Sequence, residues 1–335
     1  MLLAAAAACR AGTAPARVSQ TRKLMGVPWT ITLHAPSVTA GGEALEAAFA
    51  EVARLEGILS DYDPASALSR LSDAAPTAAP VPVGDELWEV LERAVAFREA
   101  SGGAFDPSVG PLTTLWRQAR RTRRLPPPEK LAAARAAVGP GAVRLVPESR
   151  SVALPRPGTR LDLGGIGMGY AADRVLALLR GRGIGSALVD ASGDVAASGP
   201  PPDAAGWRVA VAGLPDGRDP GATILLADAA VTTSGDAFQA VEIDRVRYSH
   251  VVDPRTGLGV AGPAAATVIA PDATTADALA TAASVLGPEQ GAALVERFPG
   301  CAARFVWITE GGVREATTPA WPSQSSLPAG REGGP

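Results

Sequence analysis

Between Thr232 and Gly257 the chain reads TTSGDAFQAVEIDRVRYSHVVDPRTG. Phe238–Ile243 and Val246–Val252 alternate apolar and polar residues around Asp244-Arg245, the pattern of a β-hairpin with one covered face. The second run carries His250, one of 2 histidines in the chain, and gives way to Asp253-Pro254 and Thr256-Gly257. Those pairs are turn chemistry, so His250 and Asp253 are expected at a strand end, beside a loop. A neutral imidazole there either takes a proton near neutral pH or hydrogen-bonds its own turn.

The chain has 335 residues, 47% of them apolar and 19% charged, enough for a sizeable core in one large domain or two small ones. A net charge of −3 gives no global basic field for nucleic acid or an anionic membrane surface. The only cysteines are Cys9 and Cys301, so neither a disulfide framework nor a thiolate metal site fits the folded body.

Hydrophobic spacing predicts helices over Glu43–Leu59, Asp85–Ser101 and Glu129–Val138, and a short one in SDYDPASALSRL (Ser60–Leu71). Strands are expected at Trp29–Leu33, Ser186–Ser192, Trp207–Val211, Thr223–Ala227 and Ala265–Ala270, with a hairpin of Val143–Leu145 and Ser151–Leu154. Few βαβ units occur, which argues for an α+β fold with mixed or antiparallel sheets. Arg117 to Arg124 holds 5 arginines in 8 residues, read as a solvated connection or a docking surface for an acidic partner.

Arg160–Gly185 (RLDLGGIGMGYAADRVLALLRGRGIG) reads as a short strand, a glycine-rich turn and a helix from about Tyr170 to Arg180. Such a turn lets the backbone approach a ligand, and the helix N-terminus favours negative charge. A dinucleotide-fold reading lacks its acidic residue after a second parallel strand. In Pro271–Ala282 (PDATTADALATA), Thr274 or Thr275 is expected to cap a helix that carries Asp277 and Thr281 on one face. A carboxylate with a hydroxyl suits Mg²⁺ better than zinc, and a lone Asp there can equally complement the helix dipole.

Leu2–Ala8 is an apolar run ending at Cys9, too short to span a bilayer and similar to a lipoprotein cleavage site or to an Ala-rich tail. Pro, Ser and Gly dominate from Pro319 onward. The expected division is an N-terminal signal-like segment over 1–20, a single bilobal domain over 21–317 and a disordered tail over 318–335.

Taken together, Met25-Gly26, SDYDPASALSRL, GGAFDPSVGPLTTLW, LDLGGIGMGYAADR, DASGDVAASG, TTSGD, YSHVVDPRTG and APDATTADALAT resemble, in order, the motifs of the ApbE-like family, the FAD:protein FMN transferases. The resemblance runs from about Lys23 to Thr317. It implies a bilobal α+β enzyme that binds FAD between its lobes with Mg²⁺ (or Mn²⁺), releases AMP and attaches FMN to a Thr or Ser of an acceptor protein. Some relatives hydrolyse FAD to FMN and AMP instead, and a non-catalytic flavin-binding lipoprotein is a further reading. The family usually works outside the cytoplasm, which with Cys9 implies an exported, periplasmic or outer-face protein, with or without a lipid anchor.

By the same resemblance, Met25, Tyr62, Ala104, Phe105, Asp106, Asp162, Met168 and Val252 would surround FAD. The Gly165 carbonyl with the Asp277 and Thr281 side chains would bind Mg²⁺. His250 would be the base and Asp253 would orient it. The sequence departs from the family pattern at Met168, where Lys or Glu is frequent, at Val27, and at Ser192, where glycine is common.

Overall fold

The computed structural model describes residues 14–211, 213–214, 221–235, 240–261 and 264–322. The chain opens with β1 (Ala16–Leu24) and β2 (Val27–Ala35), followed by α1 (Val38–Leu59), α2 (Ala67–Asp73) and the short β3 (Val81–Pro82). Helices α3 (Asp85–Ala100), α4 (Gly110–Thr122) and α5 (Pro128–Ala136) lead to the hairpin of β4 (Arg144–Val146) and β5 (Ser151–Ala153), then to α6 (Gly167–Gly181). Next come β6 (Ser186–Ala191), β7 (Asp194–Ser198), β8 (Trp207–Val211), β9 (Ala222–Leu226) and β10 (Ala229–Gly235). The chain continues through β11 (Ala240–Ile243), β12 (Val246–Val252), β13 (Gly259–Ala261), β14 (Ala264–Ala270), α7 (Ala273–Val295), β15 (Ala302–Thr309) and β16 (Gly312–Thr317).

The framework is an 8-stranded sheet in the order β1-β2-β6-β7-β10-β14-β15-β16, antiparallel throughout. The fold is therefore α+β, as the sequence predicts. Alternation along β2 sends Trp29, Ile31, Leu33 and Ala35 into the core under α1, α6 and α7. The opposite face is closed over β7 and β10 by the β8–β9 ribbon, whose Trp207, Val209, Ile224 and Leu226 cover Val195, Ala197 and Val231. A third cluster joins Leu112, Trp116 and Ala119 of α4 to Ile243 and Val252 of the β11–β12–β13 sheet. These bodies leave a cleft between them.

Several boundaries differ from expectation. α1 starts at Val38, before Glu43, because the Ser37 hydroxyl accepts the Ala40 N–H. Thr274 and Thr275 are not the cap of α7; that residue is Asp272, which accepts from the Thr275 N–H. Thr274 instead donates to Asp173. The arginine run is not a connection at its start. Leu112, Trp116 and Ala119 bury one helical stripe, and α4 continues to Thr122. Leu161–Leu163 forms no strand, and only Arg160 bridges Val109.

The ordered body is also longer than 21–317: β1 begins at Ala16, and Thr318 is buried and accepts the Ala303 N–H at 2.8 Å. Cys9, the tail beyond residue 322, and Phe238 at the start of the expected hairpin strand lie outside the described residues. Among the described residues no helix is long and apolar enough to cross a membrane.

Candidate active site

The cleft encloses about 650 Å³, within the range of small-molecule sites. One end is built where α6 and α7 meet. Gly165 lies so close to Thr281 that a Cβ on it would stand 2.8 Å from the hydroxyl oxygen and 2.9 Å from the methyl. One turn earlier on α7, Asp277 Oδ2 accepts the Gly169 backbone N–H at 3.1 Å. The three expected metal residues, Gly165, Asp277 and Thr281, all border the cleft.

Asp194 at the start of β7 borders it too, and is buried. Burial, with a smaller push from Asp190, raises its carboxyl to about 7, while the Thr232 hydroxyl beside it pulls the other way. Asp277 is also raised well above the ordinary carboxylate range, by burial first and then by the charge of Asp194. A buried carboxylate pair with few donors is short of positive charge. Among the described residues no three His, Cys, Asp or Glu side chains form a metal-ligand cluster. An ion at this end would therefore use hydroxyl and backbone oxygens beside carboxylate, the hard donors that suit Mg²⁺.

His250 enters from the other side, on β12. The Asp244-Arg245 turn before it takes positive φ at both residues (51° and 65°), the type I′ geometry that suits a two-residue hairpin. Against β13 the register slips: Tyr248 pairs with Ala261 and Val252 with Gly259, so the stretch carrying His250 bulges. Bulges re-aim side chains and recur beside active sites. Trp116 fixes the bulge by donating its indole N–H to the Ser249 carbonyl at 2.9 Å.

His250 and Val252 border the cleft. The Asp253 carboxylate is engaged by Arg255, through its backbone N–H, Nε and Nη2, each at 2.9 Å. Arg255 also reaches the Val285 carbonyl of α7 at 3.5 Å. Asp253 thus secures the loop after His250.

The remaining expected residues border the same cleft. Met25 sits with Gly26 in the β1–β2 turn, both at positive φ (49° and 80°), a conformation a methionine adopts at a cost. Ala104, Phe105, Asp106 and Met168 line the wall, and Tyr62 stands at the rim. The Asp106 carboxylate is turned inward onto the Ser108 N–H and hydroxyl. Asp162 is likewise internally engaged: Oδ1 accepts the Gly164 N–H at 2.8 Å, and Oδ2 accepts from Thr113 at 2.7 Å and Arg117 at 3.1 Å. It holds the glycine-rich turn against α4.

A family model described as the ApbE family matches residues 25–305. The chain belongs to the ApbE family. It is 36% identical over 288 residues to the FAD:protein FMN transferase of Treponema pallidum, covering 79% of this chain and 77% of that one. The enzyme of the same name from Escherichia coli K12 is 30% identical over 281 residues, with 82% and 80% covered. Among solved structures, the apo flavinyl transferase ApbE of Pseudomonas stutzeri superposes with a TM-score of 0.81 at 32% identity, over 92% of this chain and 96% of that one. Flavin transferase ApbE from Vibrio cholerae gives 0.83 at 28% identity, over 92% and 98%.

Within this ApbE fold, sequence reasoning missed Asp194 and Arg117. Asp194 stood inside the DASGDVAASG motif, and its signal was a lone acid leading a strand buried along its whole length. Arg117 was hidden in a run that reads as solvated. At the Ser192 departure, the serine takes φ 59°, which explains why glycine suits that turn.

Proposed function

We propose that this ApbE-family protein moves FMN from FAD to a Thr or Ser hydroxyl of an acceptor protein and releases AMP, with Mg²⁺ or Mn²⁺ held by Gly165, Asp277 and Thr281. The observation that carries the reading is one cleft bordered by an imidazole, a charge-deficient carboxylate pair and an exposed aromatic ring. The oxygen donors and the close Gly165–Thr281 approach fit a small hard cation. Bound there, it would offset the pyrophosphate charge and stabilise the leaving AMP.

The chain's own groups supply the rest. In the N-terminal turn of α6 the Gly167 N–H is taken by the Leu163 carbonyl and the Gly169 N–H by Asp277, so Met168, in the cleft wall, is the residue whose backbone N–H would meet a phosphate oxygen. His250 takes the acceptor hydroxyl proton. The hydroxyl oxygen bonds to the FMN phosphorus, and the P–O bond to AMP breaks with the bridging oxygen leaving on AMP. A positioned base of this kind contributes about 10²–10⁴-fold. Asp253 keeps the loop after His250 in place through Arg255. The reading includes work outside the cytoplasm and a lipid anchor on Cys9, supported by the apolar run before that residue.

The test is incubation with FAD, Mg²⁺ and Thr-containing acceptor proteins, followed by intact-mass measurement. FMN attached to the acceptor together with released AMP is the expected result. Free FMN and AMP with no adduct on any acceptor would make water the acceptor and overturn transfer.

A further inference from the structure

Arg117 differs from the other arginines of α4 in what it touches. Its Nη1 donates to Asp61 Oδ2 at 2.6 Å and its Nη2 to Asp162 Oδ2 at 3.1 Å. The same guanidinium lies over the Tyr62 ring, 4.2 Å from the centroid. Three separate parts of the chain meet on this one group: the end of α1, helix α4 and the glycine-rich turn. Tyr62 is 75% exposed although it borders the cleft. One side of its ring is therefore backed by a cation, and much of the rest is open.

An exposed tyrosine at a rim keeps its rotamer freedom unless something fixes it. Here the planar guanidinium fixes it, and two carboxylates fix the guanidinium in turn. The charge of Arg117 is thereby matched within the protein, so it offers a ligand orientation and not a spare cation.

We infer that Arg117 is a positioning residue: it clamps Tyr62 between itself and the cleft, making the tyrosine a fixed stacking platform for a flat heteroaromatic ring of the dinucleotide substrate. The inference rests on the flavin-nucleotide reading of the cleft. The ring is that of the flavin or of the adenine, and the two halves of FAD distinguish them.

The experiment titrates FMN and AMP, neither of which is turned over, into the full-length chain in Mg²⁺. Wild type is compared with Arg117→Ala, Arg117→Lys, Tyr62→Ala and the double alanine variant. Stacking on an aromatic side chain predicts a loss of about ten-fold in affinity for one half in Tyr62→Ala, and a comparable loss for that same half in Arg117→Ala. The other half should bind as before. The double variant should bind no more weakly than Tyr62→Ala, because arginine acts through the tyrosine. Lysine should restore only part of the loss, since it lacks the planar fork.

Asp61→Asn removes one of the two negative charges that hold Arg117 and should give a smaller loss for the same half, so the outcome does not hang on Arg117→Ala folding well. Unchanged affinities in Arg117→Ala, or losses that multiply in the double variant, would overturn the inference while leaving the flavin reading intact. Failure of wild type to bind either half would overturn both.

Discussion

The Gly169 backbone N–H and the Asp277 carboxylate meet at 3.1 Å, binding the first turn of α6 to the first turns of α7. The approach is close enough that a Cβ on Gly169 would strike the Ala273 carbonyl and lie 2.9 Å from the Asp277 Cβ. The helix junction and the acid that faces the cleft are therefore one structural unit.

Gly169→Ala should destabilise the protein by about 1–3 kcal/mol, the usual cost of forcing an extra methyl into a filled space. Gly181→Ala, near the end of the same helix with nothing within 4 Å of its added Cβ, should be neutral or slightly stabilising. Urea melts of the two variants make the comparison. Equal stabilities would mean that the junction has room to relax.

Asp277→Asn removes half of a buried like-charge pair. Without divalent ions the variant should melt no lower than wild type. With them, wild type should gain stability through binding and the variant should not. Its FMN transfer should fall to background. Calorimetric scans with and without Mg²⁺ read this directly, and an equal gain in both proteins would remove Asp277 from the metal site.

Asp194 gives a pH dependence with a definite sign. Its carboxyl is raised from 3.8 to about 7, so the folded state holds a proton that the unfolded chain gives up. The stability it contributes is complete below about pH 4 and is lost as the pH rises through about 7. In chelator, the melting temperature of wild type should therefore fall relative to Asp194→Asn across that window. A difference that stays flat or grows the other way would contradict the assignment.

His250→Ala should slow single-turnover FMN transfer by at least about 10²-fold, the lower end for a general base, with FAD affinity little changed. Equal rates at saturating FAD and Mg²⁺ would place the base elsewhere. A collapse of FAD binding would make His250 a ligand to the nucleotide.

Much of this site was legible in the sequence. The turn pair Asp244-Arg245, the glycine run and the i, i+4 pair Asp277/Thr281 depend on local spacing, and each falls where that spacing puts it. The bulge at His250 was not legible, because it arises from a mismatch with β13 that pairs residues 248 and 261. Asp194 was missed for a similar reason. What makes it chemically unusual is its burial in the folded body, and the acid it acts on, Asp277, lies on α7, far along the chain. The arginine run misled because charge density along a sequence does not reveal that Arg117 turns inward to Asp61 and Asp162.

The direction of β1 has a bearing on reach. Its last residue leads into the Met25-Gly26 turn at the cleft, while its first, Ala16, pairs with Ala35 at the opposite end of the hairpin. Nine residues of extended chain separate them, roughly 30 Å at the ordinary rise of a strand. A tether leading into Ala16 would hold the molecule by the end remote from its opening. In a molecule held that way, the Met25-Gly26 turn beside the cleft would lie roughly 30 Å along β1 from the point of attachment, leaving room for a second folded partner to bring a side-chain hydroxyl to it.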